Sequence, residues 1–169
     1  MKFLISVVVC VLFAVGSFAA DEPKSSSKYG ADFLKHWKNA RDLTVAVAEA
    51  MPAENYDFKP NPEEMSFGEQ IVHIGQANYS YCARMTGGKS PFVKPEKIDK
   101  ETALKVVGEA FDYCAGVVGG LSDDQLNEVR GPMNARELTL GVMTHMAHHR
   151  GQVEVYLRVK GIKPPTYKF

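Results

Sequence analysis

The chain has 169 residues, with 20 Lys and Arg against 20 Asp and Glu, and carries no net charge at pH 7 when its 5 His are neutral. That balance, without any basic run, argues against nucleic acid as a partner. A hydrophobic share of 45% excludes a disordered chain and suits one domain with its own core.

Residues 1–19 read as a secretory signal peptide. Met1-Lys2 supplies the positive start, Phe3 to Val15 is apolar and uncharged, and Ser17-Phe18-Ala19 offers small residues for cleavage after Ala19. The apolar run is too short for a membrane helix, which needs about 20 residues. No later segment is apolar enough to span a bilayer either. The mature protein is therefore expected to be exported, periplasmic or extracellular, with no stable membrane span. Residues 20–28, rich in Ser and Lys, read as a flexible lead-in, and 29–169 as a single domain.

The first helix is expected from about Gly30 to Met51, with Phe33, Leu34, Trp37, Leu43, Val45 and Val47 supplying apolar contacts. Pro52 helps to end it, and Tyr56, Phe58, Pro60 and Pro62 mark a loop with apolar anchors. Ser66-Phe67-Gly68-Glu69 has the form of a capping box and opens a second helix that runs to Met85, where Gly87-Gly88 stops it. The connection from Ser90 to Asp99, with Pro91 and Pro95, lacks regular structure. Its length of about a dozen residues serves either an antiparallel or a parallel pair, so the spacing leaves the topology open. A third helix runs from near Asp99 to Val118, closed by Gly119-Gly120. Ser122-Asp123-Asp124-Gln125 caps a short extra helix. Asn134-Ala135-Arg136-Glu137 caps the last and longest, which reaches Lys160 before Gly161. No run alternates as a strand does. The fold class is all-α, a four-helix bundle with a short extra helix before the last.

Beyond the leader the chain has two cysteines. Cys114 shares a helical face with Val107, Phe111 and Val118, as a core thiol would, while Cys82 lies roughly opposite His73 on its own helix. They read as two separate thiols in preference to a bridge, which export leaves open as the alternative, and neither reads as a nucleophile.

The strongest chemical signal is in the last helix. Residues four apart stack on one helical face, so His145 and His149 share a stripe with Leu138, Val142, Gln152, Val153 and Tyr156. Two imidazoles turned inward need partners, and their spacing suits one metal ion, although hydrogen-bonded packing histidines have the same spacing. A catalytic metal commonly takes three protein ligands and keeps one position open. His73 is the best third ligand, because it lies with Gln70, Ile74, Ala77 and Tyr81 at the inner edge of the second helix. His148 is rotated to the edge of the stripe, and His36 reads as a surface residue. Tyr81, Arg84, Gln152 and Tyr156 share faces with the ligands. Arg150 and Glu154 read as an ion pair on the outer half of the last helix.

The segment His145 to Pro165 contains His-x-x-His-His-Arg-Gly-Gln, then Tyr156-Leu157-Arg158, Gly161 and Pro164-Pro165. It resembles the DinB-like family. Met51-Pro-Ala-Glu-Asn-Tyr-Asp-Phe-Lys-Pro60 and Met65-Ser-Phe-Gly-Glu-Gln-Ile-Val-His-Ile74 resemble that family's first loop and second helix, so the likeness runs from about Tyr29 to Pro165. It implies a four-helix bundle in up-down-down-up order, with a metal on one histidine from the second helix and a spaced pair from the last. Residue by residue these are His73, His145 and His149. It also implies zinc or nickel, with iron, cobalt or manganese as alternatives, and a homodimer. It suggests a metal-dependent enzyme, either a thiol S-transferase using a small thiol or a hydrolase using metal-bound water. The alternative is a non-enzymatic exported protein that binds metal or a partner.

Overall fold

The computed structural model describes residues 25–167. The leader read at 1–19 and the start of the lead-in lie outside the described residues. The chain forms α1 (Lys28–Ala50), a 3-10 turn (Ala53–Asn55), α2 (Phe67–Met85), α3 (Lys100–Gly120), the short α4 (Asp123–Asn127) and α5 (Ala135–Val159). Among the described residues the only β pairing is an isolated bridge between Val129 and Asn134.

The helix ends follow the polar signals in the sequence. Ser66, Ser122 and Asn134 each make a reciprocal capping box, with Glu69, Gln125 and Glu137 reaching back from the first turn. At the far end of α2, Gly87 adopts φ +72°, and the Gly87 and Gly88 N–H groups donate to Arg84 O and Ala83 O. Gly161, at φ +73°, closes α5 the same way, with Ile162 N–H donating to Leu157 O. Only a residue without Cβ enters this left-handed turn cheaply. Where the lead-in is described it holds to the fold: Ser26 Oγ donates to Leu121 O, and Ser27 caps α1.

Side-chain pairings give the order of the helices. The middle of α1 meets the later half of α3, since Trp37 Nε1 donates to Phe111 O and Arg41 pairs with Asp112. The C-terminal end of α1 meets the start of α3, where Lys100 Nζ donates to the Glu49 and Met51 carbonyls, so these helices are antiparallel. Helices α2 and α3 run parallel. Gly68 lies against Ile98 and Gly75 against Val106, and Cys82 meets Cys114. Helix α5 runs antiparallel to α2, with Gln70 beside Tyr156 and Tyr81 beside Gly141. The bundle is therefore up-down-down-up, with α1 diagonal to α2, and residues 86–99 are the crossover that a parallel pair requires. α2 and α3 approach closely at Gly75, where an added Cβ would lie 2.8 Å from a Val106 methyl and 3.1 Å from its carbonyl oxygen.

The core is continuous from Trp37 and Phe111 through Phe67, Ile71 and Ile74 to Val142, Val153 and Leu157. The loop after α1 packs onto it as expected. Tyr56 is 3% exposed, donates its hydroxyl to Ala48 O and stands edge-on to Phe67.

Two expectations need correction. Cys82 and Cys114 are a disulfide, with Cα atoms 5.4 Å apart and both residues fully buried. The single-helix view gave Cys114 a core face but set Cys82 opposite His73, and the parallel register of α2 on α3 turns that far side of α2 toward Cys114. Arg150 is also not on an outer face. Its side chain is 12% exposed, in a groove between α1 and α5, with its guanidinium 5.8 Å from the Tyr167 ring. The ion pair with Glu154 is present at 3.9 Å. What covers Arg150 is the segment after α5, which turns back along the bundle.

Candidate metal centre

The register of α2 against α5 brings three histidines together. His145 and His149 lie one turn apart on α5, and His73 faces them from the first half of α2. Ring centroids are 5.0 Å apart for His73 and His145, and 4.5 Å for His149 with each of the other two. One nitrogen from each ring lies within 4.8 Å of the others. Nitrogens bound to one zinc at about 2.0 Å sit about 3.3 Å apart, so small ring rotations suffice to close the set. His148 stands edge-on to His149 at 4.9 Å but is exposed, and His36 is exposed on α1, away from the triad. The structure thus groups the three residues singled out in the sequence and leaves out the two set aside.

Electrostatics favour neutral rings. Burial lowers the pKa of His73; burial, with His73 and His148 nearby, lowers that of His145. His149 is pushed down to about 4, first by burial and then by the positive charge its His145, His73 and His148 neighbours would carry. Neutral imidazole is the form that ligates metal. His145 Nδ1 is buried with no hydrogen-bond partner in the protein, a vacancy that a cation among the rings would relieve. The donor set therefore fits a divalent transition metal.

These shifts set a pH dependence for the metal-free protein. An unfolded histidine takes a proton near 6.5, whereas folded His149 takes one only near 4. Between these values the unfolded chain binds more protons, so stability is complete above about pH 6.5 and declines as pH falls through the window. Denaturant midpoints of the metal-free protein are expected to fall from pH 6.5 towards 4. A constant midpoint there would mean that the rings are not held neutral.

One supporting residue was not assigned a role from the sequence. Gln70, 1% exposed, places Oε1 at 2.8 Å from His149 Nδ1. Its position on the His73 side of α2 was legible, but its partner on α5 depends on the interhelical register. Tyr156, on the ligand stripe, is buried with its hydroxyl on Met65 O. Tyr81 lies with its ring centroid 6.0 Å from that of His145, while Arg84 is exposed.

A cleft of about 280 Å³ opens beside His73, walled by Met65, Val72, Phe92 and Ile98, with Glu69, Gln76 and Lys94 as its other polar lining. The crossover supplies Phe92, Lys94 and Ile98, so the connection read as structureless forms one wall. Two larger depressions, about 360 and 460 Å³, lie along α1 beside the segment after α5, and neither includes a triad residue. Among the described residues no helix is long and apolar enough to cross a membrane.

Comparisons with known proteins agree with this architecture. The sequence pattern of the DinB family matches residues 24–169. The uncharacterized protein YjoA of Bacillus subtilis (strain 168) is 26% identical over 137 residues, covering 76% of this chain and 88% of YjoA. The crystal structure of the DinB-like protein YjoA from Bacillus subtilis, at 2.30 Å resolution, superposes with a TM-score of 0.70 at 24% identity, covering 81% of this chain and 98% of that one. At that identity the superposition speaks for the fold. With the family pattern spanning every helix and all three clustered histidines, the chain belongs to the DinB family.

Proposed function

We propose that this protein binds one divalent transition metal, zinc or nickel, through His73, His145 and His149, and acts on a small molecule held in the cleft beside His73. The convergence of three ring nitrogens without a fourth protein donor carries this reading. Among the described residues no cysteine or carboxylate joins the group, which leaves a coordination position for water or substrate. When bound, such a metal lowers the pKa of a coordinated thiol or water and so supplies a nucleophile at neutral pH. The chain's own part is to hold three neutral imidazoles in place and to wall the cleft with a mixed lining, apolar at Met65, Val72, Phe92 and Ile98 and polar at Glu69, Gln76 and Lys94. Thiol transfer and metal-assisted hydrolysis both fit these parts.

Export is part of the proposal. The leader read at 1–19 and the Cys82–Cys114 disulfide both suit an oxidising compartment. A second reading, metal sequestration without catalysis, is favoured by the state of the acid residue that lines the cleft beside His73. The Glu69 carboxylate is occupied by the α2 cap and by Lys59 at 3.7 Å, so it is not a free proton acceptor.

Elemental analysis of mature protein, purified without chelator or affinity tag, tests the first part. About one transition metal per chain is expected. No metal after reconstitution with zinc and nickel would overturn the reading. Assays of the loaded protein on thiol–electrophile pairs and esters then separate catalysis from sequestration.

A further inference from the structure

We propose that Gln70 and Tyr156 are positioning residues that hold His149 in the tautomer whose Nε2 is free to ligate. The hydrogen-bond chain begins at the Met65 carbonyl, which can only accept. Tyr156 Oη lies 2.9 Å from it and donates its single proton there. The phenol oxygen then has only lone pairs to offer Gln70, whose side chain lies 3.5 Å away. An amide meets a lone pair with its NH2 end, so Gln70 Nε2 turns to Tyr156 and Oε1 turns to His149.

Oε1 is 2.8 Å from His149 Nδ1, and two acceptors cannot share a hydrogen bond. Nδ1 therefore carries the proton. A neutral imidazole has only one, so the lone pair is on Nε2. The opposite amide orientation would place Nε2 of Gln70 against His149 Nδ1, shift the ring proton to His149 Nε2 and block ligation. It is disfavoured because it sets the amide oxygen against a phenol oxygen whose proton is already committed. Gln70 is 1% exposed and Tyr156 3%, so bulk water does not compete for these bonds. A fixed backbone carbonyl on the α2 approach thus sets the proton position on a ring of α5, through two side chains. Metal-bound histidines commonly depend on such an outer partner for orientation and basicity.

The functional consequence rests on the metal reading, whereas the tautomer does not, and the two are measured separately. Long-range ¹H–¹⁵N NMR of the histidine rings in metal-free protein at neutral pH is expected to show His149 protonated at Nδ1. Zinc affinity is then measured by chelator competition for the native protein and its variants. Gln70→Leu is expected to weaken zinc binding about 10–100-fold, with the helical circular dichroism signal retained. Tyr156→Phe, which frees the amide to turn, is expected to mix the His149 tautomers and give a smaller loss. Gln70→Glu keeps an acceptor opposite Nδ1 and is expected to restore affinity to within a few-fold of native.

Protonation at Nε2 in the native protein would overturn the proposal, as would undiminished zinc affinity in folded Gln70→Leu. If Gln70→Leu does not fold, Tyr156→Phe and the native ring spectrum still decide. A native protein that binds no zinc but shows Nδ1–H at His149 would sink the metal reading and keep the relay.

Discussion

Alanine at position 73, 145 or 149 is expected to abolish stoichiometric metal binding, with affinity falling by more than about 100-fold. Loss of a mere supporting partner costs about 10–100-fold, and loss of a ligand exceeds that. The three rings come from two helices and have no protein substitute. Among the described residues no other histidine, cysteine or carboxylate joins their cluster. His148 is the informative control, because it adjoins His149 in sequence and touches its ring edge-on, yet is exposed. His148→Ala and His36→Ala are expected to retain full metal content. Metal analysis after equilibrium dialysis, beside circular dichroism for folding, separates ligand loss from unfolding. A variant of any triad member that keeps full occupancy would remove that residue from the site.

The second large effect concerns the disulfide. Cys82→Ala together with Cys114→Ala is expected to lower unfolding free energy by about 3–4 kcal/mol, the chain-entropy value for a loop of this size. The bridge spans a sequence separation of 32 residues, and this loop contains the whole crossover. Urea unfolding of the oxidised protein and the double variant checks it. The variant should also show a larger dependence on denaturant, because its unfolded chain is no longer closed into a loop. Equal midpoints for the two proteins would mean that the bridge contributes nothing beyond packing.

What could be read before the structure was local in origin. Ser66, Ser122 and Asn134 announce helix starts through side-chain chemistry confined to one turn, and each proved to be a capping box. The His145/His149 pair follows from helical geometry alone, and the wheel of α2 was enough to turn His73 inward. Contacts between helices were less legible. The Cys82–Cys114 bridge requires a parallel register between α2 and α3, and both antiparallel and parallel pairing were open from the length of residues 86–99. Gln70 was on the right face, but its bond to His149 depends on the rotation of α5 against α2. Arg150 looked exposed on a wheel because a wheel has no view of the segment that folds back with Tyr167.

The diagonal placement of α1 and α2 also governs how the chain can assemble. Consecutive helices in an up-and-down bundle dock as neighbours, so short-range contacts form early. Here α1 finds its main partner in α3, and α2 finds its partners in α3 and α5. Tyr29 on α1 meets Thr139 on α5, 110 residues later. Loop closure over such separations precedes any gain from packing, which slows folding relative to helical proteins built from local contacts. Of the successive long helices only α2 and α3 dock extensively, as a parallel pair across a long crossover, and α1 and α5 join them through partners distant in sequence.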